Sequence, residues 1–384
     1  MFKSYKYLIK PNAEQREAIK KNFEGISKIY NMYISDLKSN VAIPKRAVDI
    51  YDNFVKKDRM LLEYNKQILI NELFRISDKK EYKNYRTNSH YPKTYTCPIL
   101  PRQKDKLYLR DKYINIPYIG EVKIEYSRPI PNEGNIKSFS ITEKENKKYY
   151  IIILVEVSIE SEKIINIENS IGLDYSSKYF AVDNNGNKYA IPHFYREKQK
   201  IIEKKQYELS RCKINGSNYN KKKIELFNLH ENIANRRKDY LHKLSTNMAN
   251  TYDCIFVEDI DLIDISQNNN LGKATYDNSY GIFISMLEYK MKERRKVFRR
   301  IDKWFPSTKK CSVCGYINRN IELSDRSWLC PNCGTFHDRD INAAINIRNE
   351  GIKMITNSLD ERTAKAESPF RHINLTNWLI RSIN

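Results

Sequence analysis

Four cysteines in the last quarter of the chain have the spacing of a metal-binding site. They form two Cys-x-x-Cys-Gly motifs, Cys311/Cys314 and Cys330/Cys333. Four thiolates in two such pairs can complete a tetrahedral zinc shell, and the glycines permit a tight turn below each pair. Two disulfides or four unrelated cysteines are the alternatives, but the chain has an odd total of seven cysteines and no recognisable secretory leader. We therefore predict one structural zinc ion, since four cysteine ligands leave no open position for water.

Three acidic residues lie at the predicted ends of secondary-structure elements. Asp174 follows the run Ile-Gly-Leu and Glu258 follows Cys-Ile-Phe-Val, so each is predicted to end a strand. Asp340 is predicted to open a helix, and Asp338 is the alternative for its role. Singly, such acids are more often turn or capping residues. If the strands end side by side and the helix begins next to them, however, the three carboxylates come within a few ångströms of one another.

Carboxylates at such close range repel one another unless cations neutralise them. Magnesium prefers oxygen ligands, and two such ions about 3.5–4 Å apart can promote hydrolysis of a phosphodiester. Ala343 and Ala344 would let the helix that begins near Asp340 lie close on the sheet. The arrangement predicts a nuclease centre of the ribonuclease-H-like kind with two catalytic magnesium ions.

The composition favours a polyanionic partner. The 384 residues include 68 Lys and Arg against 47 Asp and Glu, a net charge of +21. An excess of this size is typical of nucleic-acid-binding proteins, and an acidic membrane surface is the competing interpretation. The longest apolar run, Tyr149–Val155, is too short to cross a bilayer. We therefore expect a soluble intracellular protein that binds nucleic acid and no membrane.

The first half of the chain predicts helices inserted into a β domain. Residues 1–10 alternate like a strand, and apolar residues at steps of three and four predict helices within 11–79. A tyrosine-rich segment with Tyr85 and Arg86 suits base stacking and phosphate contacts, although an ordinary polar loop is the alternative. Alternating runs separated by turn residues follow. We predict a small antiparallel β-barrel from residues 1–10 and 80–165.

Residues 195–250 predict a heavily charged helical hairpin. Its basic residues outnumber its acidic ones, and Arg236, Arg237 and Lys238 follow in a cluster. The excess of positive charge favours a surface that faces phosphates, and a solvated hairpin is the alternative.

The remaining segments predict a lid, a helix and a short strand. The loop Ser266–Ser279 is rich in Asn and Gly and is the candidate lid over the acids. A helix is predicted from about residue 282 to 300, and a short strand at Ile301–Phe305. The tail, residues 351–384, has no strong pattern and is expected to be partly disordered.

Several of these segments resemble the TnpB family, transposon-encoded RNA-guided nucleases related to the type V CRISPR effectors. The matching motifs are GLDYSSKYFAVD, FVEDIDL, LGKATYDNSYGIF, FPSTKKCSVCG, RSWLCPNCG and HDRDINAAINI in the family's order, together with RRKDYLHKLS and IPYIGEVKI. The first motif has Tyr-Ser after its acid where many members have Leu-Gly, but the acid remains. The resemblance implies that Asp174, Glu258 and Asp340 form the catalytic triad, because the family pattern Asp-x-Asn-Ala-Ala selects Asp340 over Asp338.

The resemblance also implies an α+β multidomain fold. The implied domains are a wedge β-barrel (1–10 and 80–165), an inserted helical recognition domain (11–79), a RuvC-type α/β nuclease domain (166–310 and 335–350), an inserted zinc ribbon that binds target nucleic acid (311–334) and the tail (351–384). The first two would hold a guide RNA and read a short DNA motif beside the target.

The activity implied is that of an RNA-guided endonuclease encoded by a transposable element. It would cut double-stranded target DNA beside a transposon-adjacent motif, with a guide RNA derived from the transposon end, in the cytoplasm of a prokaryote and on its nucleoid when bound to DNA. Arg326 is predicted to contact the scissile phosphate, and a salt bridge inside the ribbon is the alternative. The candidate nucleic-acid contacts are Tyr85, Arg86, Arg236, Arg237, Lys238 and Lys273.

Two rival functions remain open at this point. One is an RNA-guided DNA-binding repressor without cleavage, which should lack one or more of the three acids. The other is a three-carboxylate transposase that joins strands without a guide.

Overall fold

The computed structural model describes residues 1–77, 93–99, 107–158, 164–176, 179–190, 193–260, 279–322 and 324–363. The chain divides into two compact units, Met1–Ile159 and Glu160–Asn384.

In its described residues, the first unit combines three α-helices and one 3-10 helix with seven strands. Its elements are β1 (Phe2–Lys10), α1 (Ala13–Lys38), α2 (Ala47–Lys57), a 3-10 helix (Arg59–Glu63), α3 (Lys66–Ser77), β2 (Thr94–Pro98), β3 (Tyr108–Arg110), β4 (Tyr113–Ile116), β5 (Gly120–Glu125), β6 (Asn135–Glu143) and β7 (Tyr149–Glu156). Helix α1 begins with a capping box, in which the Asn12 side chain accepts from the Gln15 amide at 2.8 Å and the Gln15 side chain accepts from the Asn12 amide at 3.0 Å. This exchange satisfies amide groups that have no partner inside the helix.

The seven strands form one antiparallel sheet in the order β2-β6-β7-β1-β5-β4-β3. Alternate strand residues such as Tyr7, Ile141 and Ile153 are buried, and they share one hydrophobic core with α1, α2 and α3. In the described residues no pairing joins the two end strands, β2 and β3. Closure into a barrel, and a separate helical domain, therefore stay predictions.

The second unit contains seven further strands and four helices in the described residues. They are β8 (Ser170–Tyr175), β9 (Ala181–Asp183), β10 (Lys188–Tyr189), α4 (Phe194–Ser210), α5 (Ser217–Thr251), β11 (Cys254–Glu258), α6 (Tyr280–Glu293), β12 (Val297–Ile301), β13 (Ser327–Leu329), β14 (Phe336–Asp338) and α7 (Arg339–Thr363). Strands β13 and β14 pair with each other, and the other five form one sheet.

The five-stranded sheet has the order β10-β9-β8-β11-β12. Strand β11 runs parallel to both β8 and β12, whereas β9 is antiparallel to β8 and to β10. Strand residues alternate between faces. Ile255 and Val257 pack in a core with α4, α5 and α6, while Cys254 and Phe256 pack in a second core with α7. Because both faces of β8 and β11 are covered, these strands are apolar almost throughout.

Two predicted boundaries are wrong. The segment Val297–Ile301 is a strand rather than the end of a helix, and this strand stops where the predicted one was to begin. Helix α7 continues to Thr363, so the first part of the predicted tail is helical, with Ile352 and Ile355 buried in the core beside β11 and β12. In the part of the chain that the structure describes, no helix is long and apolar enough to cross a membrane.

Candidate functional site

Two of the predicted acids lie at the same end of neighbouring parallel strands. The register of β8 and β11 runs from Ser170 opposite Cys254 to Leu173 opposite Val257. Asp174 and Glu258 are the next residue of each strand, so they emerge side by side. Asp174 is only 5% exposed, and Glu258 is half-buried.

Helix α7 brings the third acid to the end of β8. Asp340 lies in its first turn, and the Ser176 hydroxyl, just beyond β8, donates to Asp340 Oδ2 at 3.1 Å. Asp338 has a different role, because its Oδ1 accepts from the amides of Asp340 and Ile341 at 3.1 and 3.2 Å. Those contacts cap the helix N-terminus. The geometry therefore favours Asp340 over Asp338 as the third carboxylate of the site.

Close contact between β8 and α7 sets the position of Asp340. A Cβ atom on Gly172 would lie 2.2 Å from the Ala344 carbonyl oxygen and 2.6 Å from the Arg348 amide. The Arg348 guanidinium also donates to the Ser170 carbonyl at 3.1 Å. Ala343 and Ala344 are fully buried, as their predicted role in close packing requires. The sheet and the helix thus touch backbone to backbone two residues before Asp174.

The acids are electrostatically coupled. Burial, followed by the charges of Asp340 and Glu258, raises the pKa of Asp174 well above its ordinary value, while Arg339 acts in the opposite direction. Burial also raises the pKa of Glu258 to about 7. Such shifts arise where carboxylates are buried, and at Asp174 also where like charges lie nearby; they are typical of functional sites.

Asp174 and Glu258 border a cavity of about 670 Å³. Its lining includes Asp174, Glu258, Arg339, Lys303 and Lys309. Sequence reasoning missed Arg339, whose Nη2 lies 3.4 Å from Asp340 Oδ1. The sequence signal that could have identified Arg339 was its position directly before Asp340. Cationic groups beside acidic ones give this cavity donors for a phosphate as well as ligands for a metal.

The three acids lie less close together in the structure than the sequence predicts. Among the described residues, the four cysteines form the one group of three or more possible metal-ligand side chains whose ligand atoms all lie within 4.8 Å. The three carboxylates share one end of the sheet without forming a shell of that size.

The cysteines are arranged as the spacing predicts. Cys311 Sγ lies 3.7 Å from Cys333 Sγ, and Cys314 Sγ lies 3.6 Å from Cys330 Sγ. Sulfurs at the corners of a tetrahedron with zinc–sulfur distances near 2.3 Å lie about 3.8 Å apart. A disulfide would require about 2 Å instead, and all four cysteines are free. The donor set and its size therefore fit a zinc ion.

One histidine near the cluster was not predicted. His337 is buried in β14, and its Nε2 lies 3.1 Å from Cys311 Sγ. The His337 ring also packs against Trp328 with 4.7 Å between centroids. The position is three residues before Asp340, so the cysteine cluster and the start of α7 are directly connected.

The structure gives no direct support to the predicted role of Arg326. Its side chain is exposed and does not line the cavity, and no ion pair involves it among the described residues. Its carbonyl oxygen accepts from the Arg339 amide at 3.0 Å. Both predicted roles for the Arg326 guanidinium stay predictions.

The other predicted contacts are only partly described. Arg236 and Lys238 are exposed on α5, whereas Arg237 is half-buried. The Arg236 guanidinium lies 4.9 Å from the Phe194 ring centroid and 3.5 Å from Glu197. Tyr85, Arg86 and Lys273, and the candidate lid up to residue 278, lie outside the described residues.

Fold and site together define a class: an α/β sheet with acids at the carboxyl ends of adjacent parallel strands, a third acid on a packed helix, and a four-cysteine ribbon. Three family models match the chain. A family described as a probable transposase, OrfB of the IS605 type, matches residues 152–269. The Cas12f1-like TNB domain matches residues 280–347. A helix-turn-helix domain of OrfB matches residues 1–42, where the structure has β1 and the single helix α1.

Several curated proteins are similar to the chain. A protein of Streptomyces pristinaespiralis named "Putative RNA-guided DNA endonuclease" is 30% identical over 60% of this chain and 56% of its own length. "Putative RNA-guided DNA endonuclease InsQ" of Escherichia coli is 25% identical over 63% of each chain. "TnpB-like protein L79" of Acanthamoeba polyphaga mimivirus is 26% identical over 60% of this chain and 46% of its own. The chain thus spans less than two thirds of the length of each of these relatives.

A solved structure described as a Cas12f1–sgRNA–target DNA complex aligns with 87% of this chain and 81% of its own, at 14% identity and a TM-score of 0.48. The family models and the curated relatives confirm the resemblance to the TnpB family that the sequence motifs predict.

Proposed function

We propose that the protein is an RNA-guided DNA endonuclease of a transposable element. The observation that carries the proposal is the meeting of Asp174, Glu258 and Asp340 at one end of the sheet, in a chain with a net charge of +21. A nuclease needs both features, because the acids can bind cations and the excess positive charge attracts a polyanion. The names of the similar curated proteins support the same activity.

The strand order supports a ribonuclease-H-like, RuvC-type domain in the second unit. Three antiparallel strands, β8 to β10, are extended by the parallel strands β11 and β12, and the acids lie at the ends of the two central strands β8 and β11. In α/β sheets, binding sites form outside the carboxyl ends of parallel strands. For the first unit we propose the wedge and recognition roles, with contacts to guide RNA and to the flanking DNA motif.

The acids fit magnesium. They are hard oxygen ligands and are partly or fully buried. Burial, and then the charges of Asp340 and Glu258, raise the pKa of Asp174, so a cation would relieve both the desolvation and the repulsion. The chemistry that two magnesium ions supply at such a centre is activation of water and stabilisation of the leaving oxygen of the phosphodiester.

The chain's own residues would hold and orient these groups. Ser176 keeps Asp340 Oδ2 directed to the end of β8. Asp338 caps α7 and so fixes the first turn, where Asp340 lies. Arg339 lines the cavity beside the acids and can donate to a phosphate oxygen there. Binding and positioning of the scissile phosphate would thus depend on one short segment, residues 338–340.

The cysteine cluster would hold one structural zinc ion. Four cysteines fill a tetrahedral shell, so no position remains for water or substrate. The ribbon ends in β14, which continues without a break into α7. We propose that zinc keeps the ribbon folded and so supports the segment that carries Asp340, while target contacts are made on the ribbon's outer surface.

Recovery of the bound RNA is the first test of guidance. The full-length protein, purified from cells that express its element, should contain one short RNA species whose end matches the transposon end. When the guide part of this RNA is changed, the protein should cut the matching new DNA, since base pairing supplies the sequence specificity. A protein that carries no defined RNA, yet joins DNA strands, would instead support the transposase alternative.

The acids are tested separately. Asp174→Ala should abolish magnesium-dependent cleavage and leave DNA binding by the RNA-loaded protein intact. Asp259→Asn is the matched control, because Asp259 lines the same cavity but pairs with Arg300 at 3.2 Å. It should retain cleavage. Retained cleavage in Asp174→Ala refutes the triad, and a wild-type protein that binds guided targets without cutting them supports the repressor alternative.

A further inference from the structure

The loop between β12 and the ribbon, residues 302–310 (the Trp304 loop), exposes a large aromatic ring. Trp304 is 80% exposed, whereas Trp328, the other tryptophan in the described part of the chain, is 7% exposed. A single exposed apolar residue is common on protein surfaces and by itself indicates no partner. Trp304 differs from such a residue in how its loop is held, in its position along the chain and in the charges around its ring.

The loop is held rigidly from two sides. Asp302 Oδ1 accepts from the Trp304 amide at 2.7 Å, and the Asp302 carbonyl accepts from the Phe305 amide at 3.0 Å. At the other end, the Asn346 side chain donates to the carbonyls of Ser307 and Lys310 at 2.8 and 2.6 Å. Asn346 is buried on α7. The backbone that carries the indole is therefore fixed to the sheet and the helix, which lowers the entropy lost when a partner stacks on it.

The loop also forms one wall of the candidate active site. It starts directly after Ile301, which is the β12 residue opposite Glu258. Lys303, Thr308 and Lys309 line the same cavity as Asp174 and Glu258. Trp304 directly follows Lys303, so its exposed ring is carried by the same short loop that forms this wall.

The charges around the ring match a nucleic-acid strand. Lys303 Nζ lies 4.9 Å from the centre of the Trp304 ring, and Lys310 Nζ lies 5.3 Å from the centre of the Phe305 ring. Aromatic faces interleaved with cations bind single strands, because bases stack on the rings and phosphates pair with the cations. A base inside a duplex already has its faces covered by its neighbours. The partner that fits is therefore a strand with unpaired bases.

We propose that Trp304 stacks on an unpaired base of the DNA strand that enters the candidate active site. Lys303 and Lys309 contact the phosphates next to that base, and this holds the backbone beside the three acids. The identification of the strand as a substrate rests on the proposed function. The stacking itself can be measured without cleavage.

The test compares two probes of equal length in buffer without added magnesium, which prevents cleavage without a chelator that could remove the proposed zinc ion. One is a fluorescein-labelled oligothymidylate of about eight nucleotides, within the usual range of single-strand sites. The other has the same backbone with every base removed. The full-length wild-type protein should bind the first probe about five- to a hundredfold more tightly, which is the effect of one base–aromatic stack. Trp304→Ala should lose this preference, whereas Trp304→Phe should keep most of it.

Two controls exclude general effects of aromatic residues. Tyr207→Ala removes a ring that is 63% exposed and also has a cation nearby, Arg211 at 5.6 Å, but lines no part of the cavity with the acids. It should keep the preference. In addition, oligothymidylate should quench the tryptophan fluorescence of the wild-type protein and leave that of Trp304→Phe nearly unchanged.

The possible outcomes separate this proposal from the proposed function. A preference that survives in Trp304→Ala overturns the stacking, and a Trp304-dependent preference seen only with the ribonucleotide version of the probe overturns its assignment to the DNA strand. Loss of the preference in Trp304→Ala supports the stacking even if the guide-loaded protein never cuts DNA, because the assay contains no added magnesium and requires no cleavage.

Discussion

Replacing Gly172 with alanine tests whether the contact between β8 and α7 positions the third acid. The new Cβ would lie 2.2 Å from the Ala344 carbonyl oxygen, whereas ordinary contacts begin at 3.4 Å. Strand β8 lies between β9 and β11 in the sheet and has little freedom to move. Helix α7 must therefore shift outward by about 1 Å, because a well-packed interior transmits such overlaps rather than absorbing them.

The shift should affect stability moderately and cleavage strongly. Overpacking of this kind typically lowers the free energy of unfolding by about 1–3 kcal/mol. Asp340 lies four residues before Ala344 on the same helix, which is about 6 Å along its axis, so it moves with the contact. A displacement of about 1 Å at a reacting centre can lower the rate about a hundredfold. We expect single-turnover cleavage of a guide-matched DNA to fall by that order.

Gly351→Ala is the matched control on the same helix. Its Cβ would lie 2.1 Å from the Phe256 ring, which is a side chain rather than backbone, and the position lies further from Asp340 than Ala344 does. It should also lower the midpoint of thermal unfolding, while cleavage well below that midpoint falls less than in Gly172→Ala. Cleavage by Gly172→Ala within about threefold of wild type would refute the reasoning. An equal loss of cleavage in Gly172→Ala and Gly351→Ala at equal stability would refute it as well.

The remaining predictions concern the ribbon and a buried hydroxyl. Cys330→Ser should lose the single zinc ion measured by metal analysis, since three thiolates leave the shell incomplete; Cys212→Ser, at a half-buried cysteine outside the cluster, should keep it, and zinc retained by Cys330→Ser would contradict the site. Tyr280→Phe should raise the free energy of unfolding by about 1 kcal/mol, because the Tyr280 hydroxyl is buried and has no hydrogen-bond partner among the described residues. Tyr240→Phe should lower the free energy of unfolding by a similar amount, since the Tyr240 hydroxyl donates to the Ala190 carbonyl at 2.6 Å. A Tyr280→Phe variant that is less stable than wild type would show that the Tyr280 hydroxyl has a partner.

The elements that sequence predicted correctly depend on local patterns. The cysteine cluster follows from spacing alone, because each Cys-x-x-Cys-Gly turn needs only a few residues, with Gly315 and Gly334 at φ values of +77° and +71°. The two central strands follow from short apolar runs that are buried on both faces. The acids at their ends were predicted for the same reason, since a charged residue after such a run marks where the strand leaves the core.

The errors came from segments whose neighbours override their local pattern. Strand β12 contains Arg299 and Arg300, both exposed, and among the described strands it pairs with β11 alone. Its two exposed arginines resemble the basic residues that are common at the end of a helix. In α7, Gly351 resembles a stop signal. The close packing of α7 on Phe256 requires a glycine at this position, because any side chain there would overlap the Phe256 ring. Tertiary packing, rather than helix propensity, explains why α7 continues beyond it.

The sequence by itself determined the cysteine cluster, the excess of positive charge and the three acids as candidates, because each depends on composition or on neighbours along the chain. Only the tertiary structure decided which acid of the Asp338–Asp340 pair faces β8. It alone showed that Ser176 contacts Asp340, and that Arg339 and the Trp304 loop line the cavity of Asp174 and Glu258. The physical reason is that these residues are far apart in the chain and meet only when β8, β11 and β12 pair in parallel and α7 packs across them. Parallel pairing brings the strand ends to one edge, and the absence of a side chain at Gly172 brings the helix to it.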